Sequence, residues 1–470
     1  MTIGIEVPRR RVAIAGGLLA LALLLGGGGS PNPMAELWLQ TLATFAALAW
    51  IWWARRGSAP IAADPAFWLL AAIPVLLPLL QLVPLPPALW SGLPGRAVTV
   101  DALGLIGHAE SWRPLTLSPP ETLAALLSLG PPLAVMLMAA ALDPSGRRWL
   151  IAVVVALALA SALVGAIQLA GGSAAPRFYS QTHMTGITGF QANRNAEADV
   201  LLIGLAGLGV LAGSWRAAKG RVWWFAGLAA LLGLAVIFTG SRTGIALLPA
   251  AMAAACLAWC SGPFAPRLRP MAAAAGAGAL LLALAALLVW SPALGWVAER
   301  FGRERDARAE LWADGWFATG QYWPLGSGMG TFEQSILAAE RLEFVDASTP
   351  HRAHNDFLEL ALEAGIPGLA GLLLAALLLA MLALKAWRRR PGERAQTVFA
   401  IGSLALLGLH SLVDYPLRSM SLACLAALAA GLLAAPPDPS RAGGGQREGD
   451  GQGGRRAPRR DSVREVEICR

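Results

Sequence analysis

Charged residues are scarce in this chain: Asp, Glu, Lys and Arg make up 14% of its 470 residues, and 56% are hydrophobic. A soluble protein of this length needs more charge to cover its surface, whereas a protein that crosses a membrane many times does not. Lysine is nearly absent, since Lys219 and Lys385 are the only two. The net charge of +8 is therefore carried by arginine, and it gives no support for nucleic-acid binding. We expect no nucleic-acid partner.

Cysteine is also rare, with four residues in the sequence. Cys256 and Cys260 share one helix face, Cys424 lies in another apolar run, and Cys469 is close to the C-terminus. Neither their number nor their spacing matches a disulfide framework or a zinc site. We interpret them as small core residues, and we find no internal repeat.

Long apolar runs are the main feature that is present. A helix needs about 20 mostly apolar residues to cross a bilayer, and twelve stretches meet this requirement. They are residues 12–29, 34–53, 66–83, 121–142, 149–170, 196–213, 222–239, 243–260, 271–290, 364–384, 396–413 and 417–435. The first resembles a signal peptide, but it has no convincing cleavage site, so we interpret it as an anchor. The predicted fold class is an all-α polytopic integral membrane protein with about twelve transmembrane helices.

Alternate connections between the apolar runs are basic, which predicts the orientation of the chain. The basic set holds Arg9–Arg11, Arg55/Arg56, Arg147/Arg148, Arg216/Lys219/Arg221, Arg267/Arg269 and Lys385/Arg388–Arg390/Arg394. Short basic connections mark the cytoplasmic side. The opposite set includes the longer loops 84–120, 171–195 and 291–355, and all five histidines lie on that side. We therefore expect both termini in the cytoplasm and the chemistry on the other face.

The chain divides into two predicted parts. Residues 1–435 form the transmembrane domain, with its large loops at 84–120, 171–195 and 291–355. Residues 436–470 contain mainly Gly, Arg, Asp and Glu with few apolar residues. Such a composition cannot bury a core, so we predict a disordered cytoplasmic tail.

The loop 291–355 contains a segment with helical periodicity. One stripe of that helix combines aromatic and basic residues: Val297, Phe301, Arg305, Arg308, Trp312 and Trp316. One interpretation is an amphipathic helix on the membrane surface, whose arginines reach lipid headgroups. The other is a pair of guanidinium groups that aromatic neighbours hold ready for phosphate oxygens.

Two further loop segments contain glycine. In FTGSRTG (238–244), Ser241 or Thr243 can cap the following helix, which places Arg242 beside an N-terminus that favours an anion. The alternative is that Arg242 faces lipid headgroups. PLGSGMGTF (324–332) lacks the Gly-Lys-Ser/Thr ending of a P-loop and follows no strand, so a nucleotide site is not predicted.

The stretch HRAHND (351–356) places two histidines directly ahead of an apolar run. Asp356 and Glu359 have the spacing of a capping box, which predicts a helix that starts at about residue 357. The positive end of that helix favours a neutral imidazole at His354, and such an imidazole can accept a proton from a hydroxyl. Two alternatives stay open. His351, His354 and Asp356 could hold a metal, although a further ligand is not obvious, or the histidines only form loop hydrogen bonds.

The longer stretch HRAHNDFLELALEAGIPGL resembles the His-Asn…Glu-x-Gly-x-x-Gly signature of the O-antigen ligase and polymerase superfamily of bacteria. Other segments are similar to the family's motifs and occur in the same order: GFQANRN (189–195), TGSRTG (239–244), RAELW (308–312) followed by PLGSGMGTF, and HSLVDYPL (410–417). The resemblance covers residues from about 80 to 420. One departure is Ala196, where the family often has His or another bulky residue, and this reduces the role expected for 189–195.

The resemblance implies a GT-C-like membrane glycosyltransferase in the bacterial inner membrane, with its active site on the periplasmic side. The donor would be a glycan on undecaprenyl pyrophosphate, and the acceptor a hydroxyl of lipid A-core, of a glycan or of a protein. Transfer would proceed with inversion and without a metal or other cofactor. A Wzy-type polymerase with the same donor chemistry is the alternative. An anion or polysaccharide transporter is less favoured, because the middle of the apolar runs lacks polar residues.

The family's functional positions transfer to individual residues of this sequence. Arg242 in the Ser-Arg turn and Arg308 in RAELW would bind the pyrophosphate, and His354 would orient or deprotonate the acceptor hydroxyl. The secondary candidates are His351, Arg352, Asn355, Arg305, His410 and Asp414. These roles are what the resemblance implies, and the periodicity and spacing do not establish them.

Overall fold

The structure is a computed structural model that describes residues 6–28, 33–54, 64–214, 220–264, 308–343, 345 and 349–435. Arg305, the predicted span 271–290 and the predicted tail 436–470 lie outside the described residues. The described chain is mostly helical. Its α-helices are α1 (Glu6–Leu25), α2 (Pro33–Ala54), α3 (Pro65–Gln81), α4 (Pro87–Trp90), α5 (Ala97–Leu105), α6 (Pro119–Ser128), α7 (Gly130–Ala141), α8 (Pro144–Gly171), α9 (Arg194–Ser214), α10 (Arg221–Thr239), α11 (Arg242–Cys260), α12 (Arg308–Tyr322), α13 (Phe332–Leu337), α14 (Asp356–Arg389), α15 (Arg394–His410) and α16 (Met420–Leu433).

In the part of the chain that the structure describes, seven helical segments are long and apolar enough to cross a membrane. They are Met34–Trp53, Pro119–Ala141, Pro144–Gly171, Arg194–Ser214, Val222–Thr239, Arg242–Cys260 and Asp356–Arg389. Helices α3 and α16 are apolar but shorter. The mostly helical fold is thus confirmed, while the number of about twelve spans and the GT-C-like architecture stay predictions.

The predicted loop 84–120 has structure of its own. It contains α4, α5 and a two-stranded antiparallel sheet, β1 (Pro84–Leu85) and β2 (Arg113–Pro114). Its far end is attached to the rest of the chain, because the backbone N–H of Leu117 donates to the carbonyl of Ser327. The described part of the loop 291–355 contains α12 and α13, so both of these connections fold into short helices.

Polar residues and prolines set where two of the helices begin. Asp143 accepts hydrogen bonds from the first backbone N–H groups of α8, and Pro144 occupies the first helical position. Asp64 and Pro65 play the same parts for α3. The carboxylate supplies an acceptor that the first turn lacks, and proline is tolerated there because its missing N–H would have no partner in the helix.

Helix α9 lies at the centre of the bundle and packs against α8, α10, α11 and α15. It runs parallel to α11, and glycine permits the close approach: a Cβ at Gly209 would overlap the backbone of Ala255 on α11. Nearer the start of both helices, Gly244 packs in the same way against Ala198. Small residues let apolar helices approach until their backbones touch. The first turns of α9 and α11 therefore lie side by side.

Contacts between connections define two ends of the bundle. At one end, which we call the site end, Asn195 at the start of α9 donates to Asp414 after α15. At the opposite end, which we call the basic end, Arg147 at the start of α8 donates to the carbonyls of Leu432 and Ala434. The connections that make these contacts belong to the two sets that the sequence separates by charge, and they lie at different ends.

Arg147 connects three helices at the basic end and its side chain is wholly buried. Its guanidinium donates to the carbonyls of Ala139, Ala140, Leu142, Leu432 and Ala434. These carbonyls belong to the last turns of α7 and α16, where the helix itself supplies no donors. One cation therefore satisfies the ends of two helices and joins them to the start of α8.

Arg147→Ala is expected to lower the free energy of unfolding by about 3–5 kcal/mol, because it leaves several buried carbonyls without donors. Its neighbour Arg148 is partly exposed, and Arg148→Ala is expected to cost about 0.5 kcal/mol or less. Thermal unfolding of both variants in the same detergent measures the difference. Equal unfolding midpoints for the two variants would contradict this role of Arg147.

Candidate active site

The segment that carries His354 leads into α14 through a side-chain cap. Asn355 is the N-cap residue, and its Oδ1 accepts from the backbone N–H groups two and three residues later. The predicted capping box is wrong in this respect, because Asp356 is the first helical residue and does not cap. Glu359 still reaches back along the chain, but its Oε2 accepts from the N–H of Ala353. The helix thus begins one residue earlier than predicted.

His354 has an unusual backbone and a fixed side chain. Its φ of 50° is the only positive value at a non-glycine residue in the described ranges, and such a conformation costs on the order of 1 kcal/mol or more. Nδ1 lies 2.9 Å from Oδ1 of Asp414, and the ring packs edge-on against Tyr415 with centroids 4.9 Å apart. The side chain is 33% exposed. His354 is therefore held on one side and open on the other.

Asp414 is the buried partner that orients His354. Burial by itself raises the pKa of Asp414, but the hydrogen bond to His354 and the positive charges of His354, His410 and Arg308 lower it to about 2. The carboxylate is therefore ionised at neutral pH and favours a proton on Nδ1 of His354, which leaves Nε2 as an acceptor. Ionised Asp414 contributes to the free energy of unfolding above a pH of about 4, and this contribution is lost as the pH falls towards 2.

Arg308 begins α12 and lies close to this pair, since its positive charge acts on both Asp414 and His410. One turn later, Nε1 of Trp312 donates to the carbonyl of Ala353 at 2.9 Å. This hydrogen bond joins α12 to the residue just before His354. The structure thus places the start of α12 next to the segment of His354, where the charge of Arg308 acts on the carboxylate that binds His354.

Arg242 is the first residue of α11, and Ser241 caps that helix, as predicted, by accepting from the N–H of Gly244 at 3.1 Å. The first turn of α11 packs against Ala198, one turn after Asn195 on α9. Arg242 therefore lies at the site end, beside the helix that binds Asp414. Backbone N–H groups and the helix dipole favour an anion at this position.

A second charged cluster fixes the start of α14. The guanidinium of Arg418 lies 2.8 Å from Glu363, 3.4 Å from Glu359 and 3.8 Å from Asp356, and Arg352 lies 2.9 Å from Glu359. Burial by itself lowers the pKa of Arg418, but the three carboxylates raise it above its ordinary value. Because the three acids share one face of α14, these ion pairs hold its first two turns against the connection between α15 and α16.

Glu363 also joins this cluster to the glycine-rich stretch 324–332. Its Oε1 accepts from the backbone N–H groups of Gly330 and Phe332. Two residues later, Gly365 has a φ of 53° and interrupts α14, and a Cβ there would overlap the carbonyl of Pro324. Only glycine fits this close approach. The stretch 324–332 is therefore a support for the bent helix, in agreement with the absence of a P-loop pattern.

The two histidines of the HxxH pattern pair with different carboxylates. Nδ1 of His351 lies 3.0 Å from Glu333, at the surface, whereas His354 faces Asp414. In the part of the chain that the structure describes, no group of three or more His, Cys, Asp or Glu side chains is arranged as metal ligands. Among the secondary candidates that the structure describes, Asp414 binds His354 and His410 lies behind it, with His410 Nε2 3.9 Å from Oδ2 of Asp414.

Several residues of the site are missing from the sequence-based prediction: Asn195, Asp199, Glu363 and Arg418. The reduced role expected for the stretch 189–195 stays a prediction, but Asn195 at its end donates from Nδ2 to Asp414. Ala196, the departure from the family pattern, lines a small cavity beside Asp414. The sequence does contain one usable signal. Acidic residues inside apolar helices are costly unless they are paired, so Asp199 and Glu363 indicate buried partners.

Comparison with known proteins adds an independent observation. Residues 227–373 match the family model described as O-antigen ligase, a segment that contains Arg242, Arg308 and His354. Asp414 and His410 follow it in the chain. A search of curated proteins found no match. The family match confirms the resemblance over residues 227–373, and together with the apolar helices it indicates an integral membrane protein.

Proposed function

We propose that this protein is a glycosyltransferase of the O-antigen ligase type. The match to the O-antigen ligase family model, the apolar helices, and the histidine and arginine residues at one end of the bundle support this proposal. It transfers a glycan from undecaprenyl pyrophosphate to an acceptor hydroxyl of lipid A-core, of a glycan or of a protein. The site end faces the periplasm of the bacterial inner membrane and both termini face the cytoplasm. The arginines at the basic end support this orientation.

The donor side of the reaction needs positive charge that does not titrate. When the bond between the anomeric carbon and the phosphate oxygen breaks, negative charge grows on the departing pyrophosphate. Arg242 and Arg308 stabilise that charge, since a guanidinium binds two phosphate oxygens at once and keeps its proton. Interactions that strengthen as the charge develops lower the barrier of the chemical step. Because arginine supplies the charge, transfer proceeds without a metal ion.

The acceptor side needs a base that is oriented towards a hydroxyl. With the Nδ1 proton of His354 directed to Asp414, Nε2 accepts the hydroxyl proton as the acceptor oxygen attacks the anomeric carbon. The new carbon–oxygen bond forms on the face opposite the leaving pyrophosphate, which inverts the configuration. The observation that carries this proposal is the 2.9 Å contact between His354 and Asp414, together with the charge of Arg308 on the same carboxylate.

The direct test is reconstitution of the purified protein with a defined undecaprenyl-pyrophosphate oligosaccharide. Lipid A-core, a second lipid-linked oligosaccharide and a candidate protein are supplied in separate reactions, and the products are separated by mass. We expect transfer to lipid A-core, unchanged by EDTA. Elongation of the lipid-linked oligosaccharide instead would assign the protein as a Wzy-type polymerase. No transfer to any acceptor by folded protein would overturn the proposal, and inhibition by EDTA that added metal reverses would restore the metal alternative.

A further inference from the structure

A second imidazole lies directly behind the His354–Asp414 pair. His410 is the last residue of α15, one helical turn before Asp414, and its Nδ1 lies 2.7 Å from Oδ1 of Asp199 on α9. Both side chains are 1% exposed. An ionisable pair this deeply buried costs free energy unless its charges are balanced, so its presence calls for a partner or a role.

The free edge of His410 faces the site. Its Nε2 lies 3.9 Å from Oδ2 of Asp414, whose Oδ1 binds His354. Among the described residues, Nε2 of His410 and Oδ2 of Asp199 are buried atoms without a hydrogen-bond partner. The cavity that Asp199, Asp414 and Asn193 line adjoins them. Asp199, His410, Asp414 and His354 thus form a row that leads from the core of the bundle to the exposed imidazole.

The protonation state of His410 follows from this geometry. In the neutral form, the Nδ1 proton would face Asp199, and the lone pair of Nε2 would face the anionic oxygen of Asp414. In the imidazolium form, an N–H group points to each carboxylate. Burial by itself disfavours the charged form of an imidazole, but a carboxylate on each side favours it and gives each N–H group a negative charge to face.

Among the charges on the surrounding elements, that of Arg308 on α12 opposes the cation on His410 and favours the anion on Asp414. The three acidic residues at the start of α14 are paired with Arg418. Glu197, the other acid near the start of α9, is bound by Ser161 of α8, and α16 contains no charged residue. Tyr415 also faces this row of side chains, and its ring contacts that of His354 at the exposed end.

We infer that His410 and Asp199 form a buried positioning pair, in which the His410 imidazolium keeps Asp414 ionised and in place to orient His354 for proton transfer. This inference rests on the proposed glycosyl transfer and adds two residues that act on it from inside the bundle. Neither residue touches a substrate. Asp199 accepts a hydrogen bond from the His410 imidazolium, whose positive charge stabilises the ionised form of Asp414. Asp414 in turn accepts the proton of Nδ1 of His354 in a hydrogen bond.

The experiment compares His410→Gln, Asp199→Asn and the double variant in the reconstituted transfer assay, with His108→Gln as the control. His108 lies in the exposed part of the connection 84–120. His410→Gln removes the cation and leaves the carboxylates of Asp199 and Asp414 unbalanced, so we expect kcat to fall about 10- to 100-fold, as for residues that support a reacting group. The KM for the donor should change by about twofold or less, because the arginines remain.

The pH profile and the double variant separate this role from a loss of packing. Without the imidazolium, Asp414 takes up a proton more easily, so the acid limb of the kcat profile should move to higher pH in His410→Gln. The double variant removes one negative and one positive charge together, and we expect it to be about tenfold faster than His410→Gln. A cavity or folding defect would instead make the double variant as slow as the single one, or slower.

Two outcomes would overturn the inference: a normal kcat and pH profile in His410→Gln, or a folded double variant that is no faster than the single. If His410→Gln does not fold, Asp199→Asn decides, and a normal kcat and profile in that variant overturns the inference. His354→Ala in the same assay distinguishes a failure of the proposed function from a failure of the inference about His410 and Asp199. Full transfer by His354→Ala removes the proposed function, whereas loss in His354→Ala with full activity in His410→Gln removes only this pair.

Discussion

Replacing His354 with alanine should lower the rate of glycan transfer by about 10²–10⁴-fold while the protein still folds. The imidazole is 33% exposed and lies outside the core, so its loss should cost about 1–3 kcal/mol through the hydrogen bond to Asp414 and leave the protein folded. The effect should appear in kcat, because the base acts on the acceptor proton in the transition state. Initial rates with a lipid-linked oligosaccharide, measured at saturating acceptor, give this value.

His351→Ala is the matched control for that experiment. His351 lies three residues earlier in the same loop, but it pairs with Glu333 at the surface and does not contact Asp414. We expect His351→Ala to keep its activity within about a factor of three, since surface substitutions of this kind are usually mild. Equal losses in the two variants would show that the loop matters only as a whole, and full activity of His354→Ala would exclude His354 from the reaction.

The bundle itself follows from the sequence to a considerable extent, because apolar periodicity and basic connections are local properties. The sequence predicts a cap of α11 at Ser241 or Thr243 for the same reason, and Ser241 forms it with a residue one helical turn later. The cap of α14 was assigned to Asp356, although Asn355 holds it. Both residues are good caps, and the choice depends on the backbone of His354, which tertiary contacts fix.

The pairing of His354 with Asp414 shows where prediction from one sequence ends. Both residues were candidates, but nothing in the spacing of positions 354 and 414 states that they touch, since the contact depends on how α14 packs beside α15. The same holds for Arg418, whose three carboxylates lie on another helix. Asp199 is a different case. An acid in the second turn of a largely apolar helix implies a buried partner, and only the packing identifies that partner as His410.

Arg308 is the second residue whose replacement should have a large effect. We expect Arg308→Ala to lower kcat by about 10²–10³-fold, the usual consequence of removing one group that stabilises developing negative charge. Arg308→Lys should recover only part of this loss, because a single ammonium cannot bind two phosphate oxygens at once. The positive charge of Arg308 also lowers the pKa of Asp414, so removing Arg308 should raise that pKa. The acid limb of the pH profile should therefore move to higher pH in Arg308→Ala and less in Arg308→Lys.

Arg341→Ala provides the control, because Arg341 also contacts α12 but does so through Asp314 at 2.6 Å. It should keep near-normal kcat while it loosens the same helix, which separates the charge of Arg308 from the placement of α12. Arg242→Ala, tested in parallel, should resemble Arg308→Ala in kcat without the shift of the acid limb, since Arg242 begins a different helix and the charges that lower the pKa of Asp414 are those of His354, His410 and Arg308. If Arg308→Ala transfers glycan at the normal rate with a donor carrying pyrophosphate, the leaving group is stabilised elsewhere, and the pyrophosphate role of Arg308 is excluded.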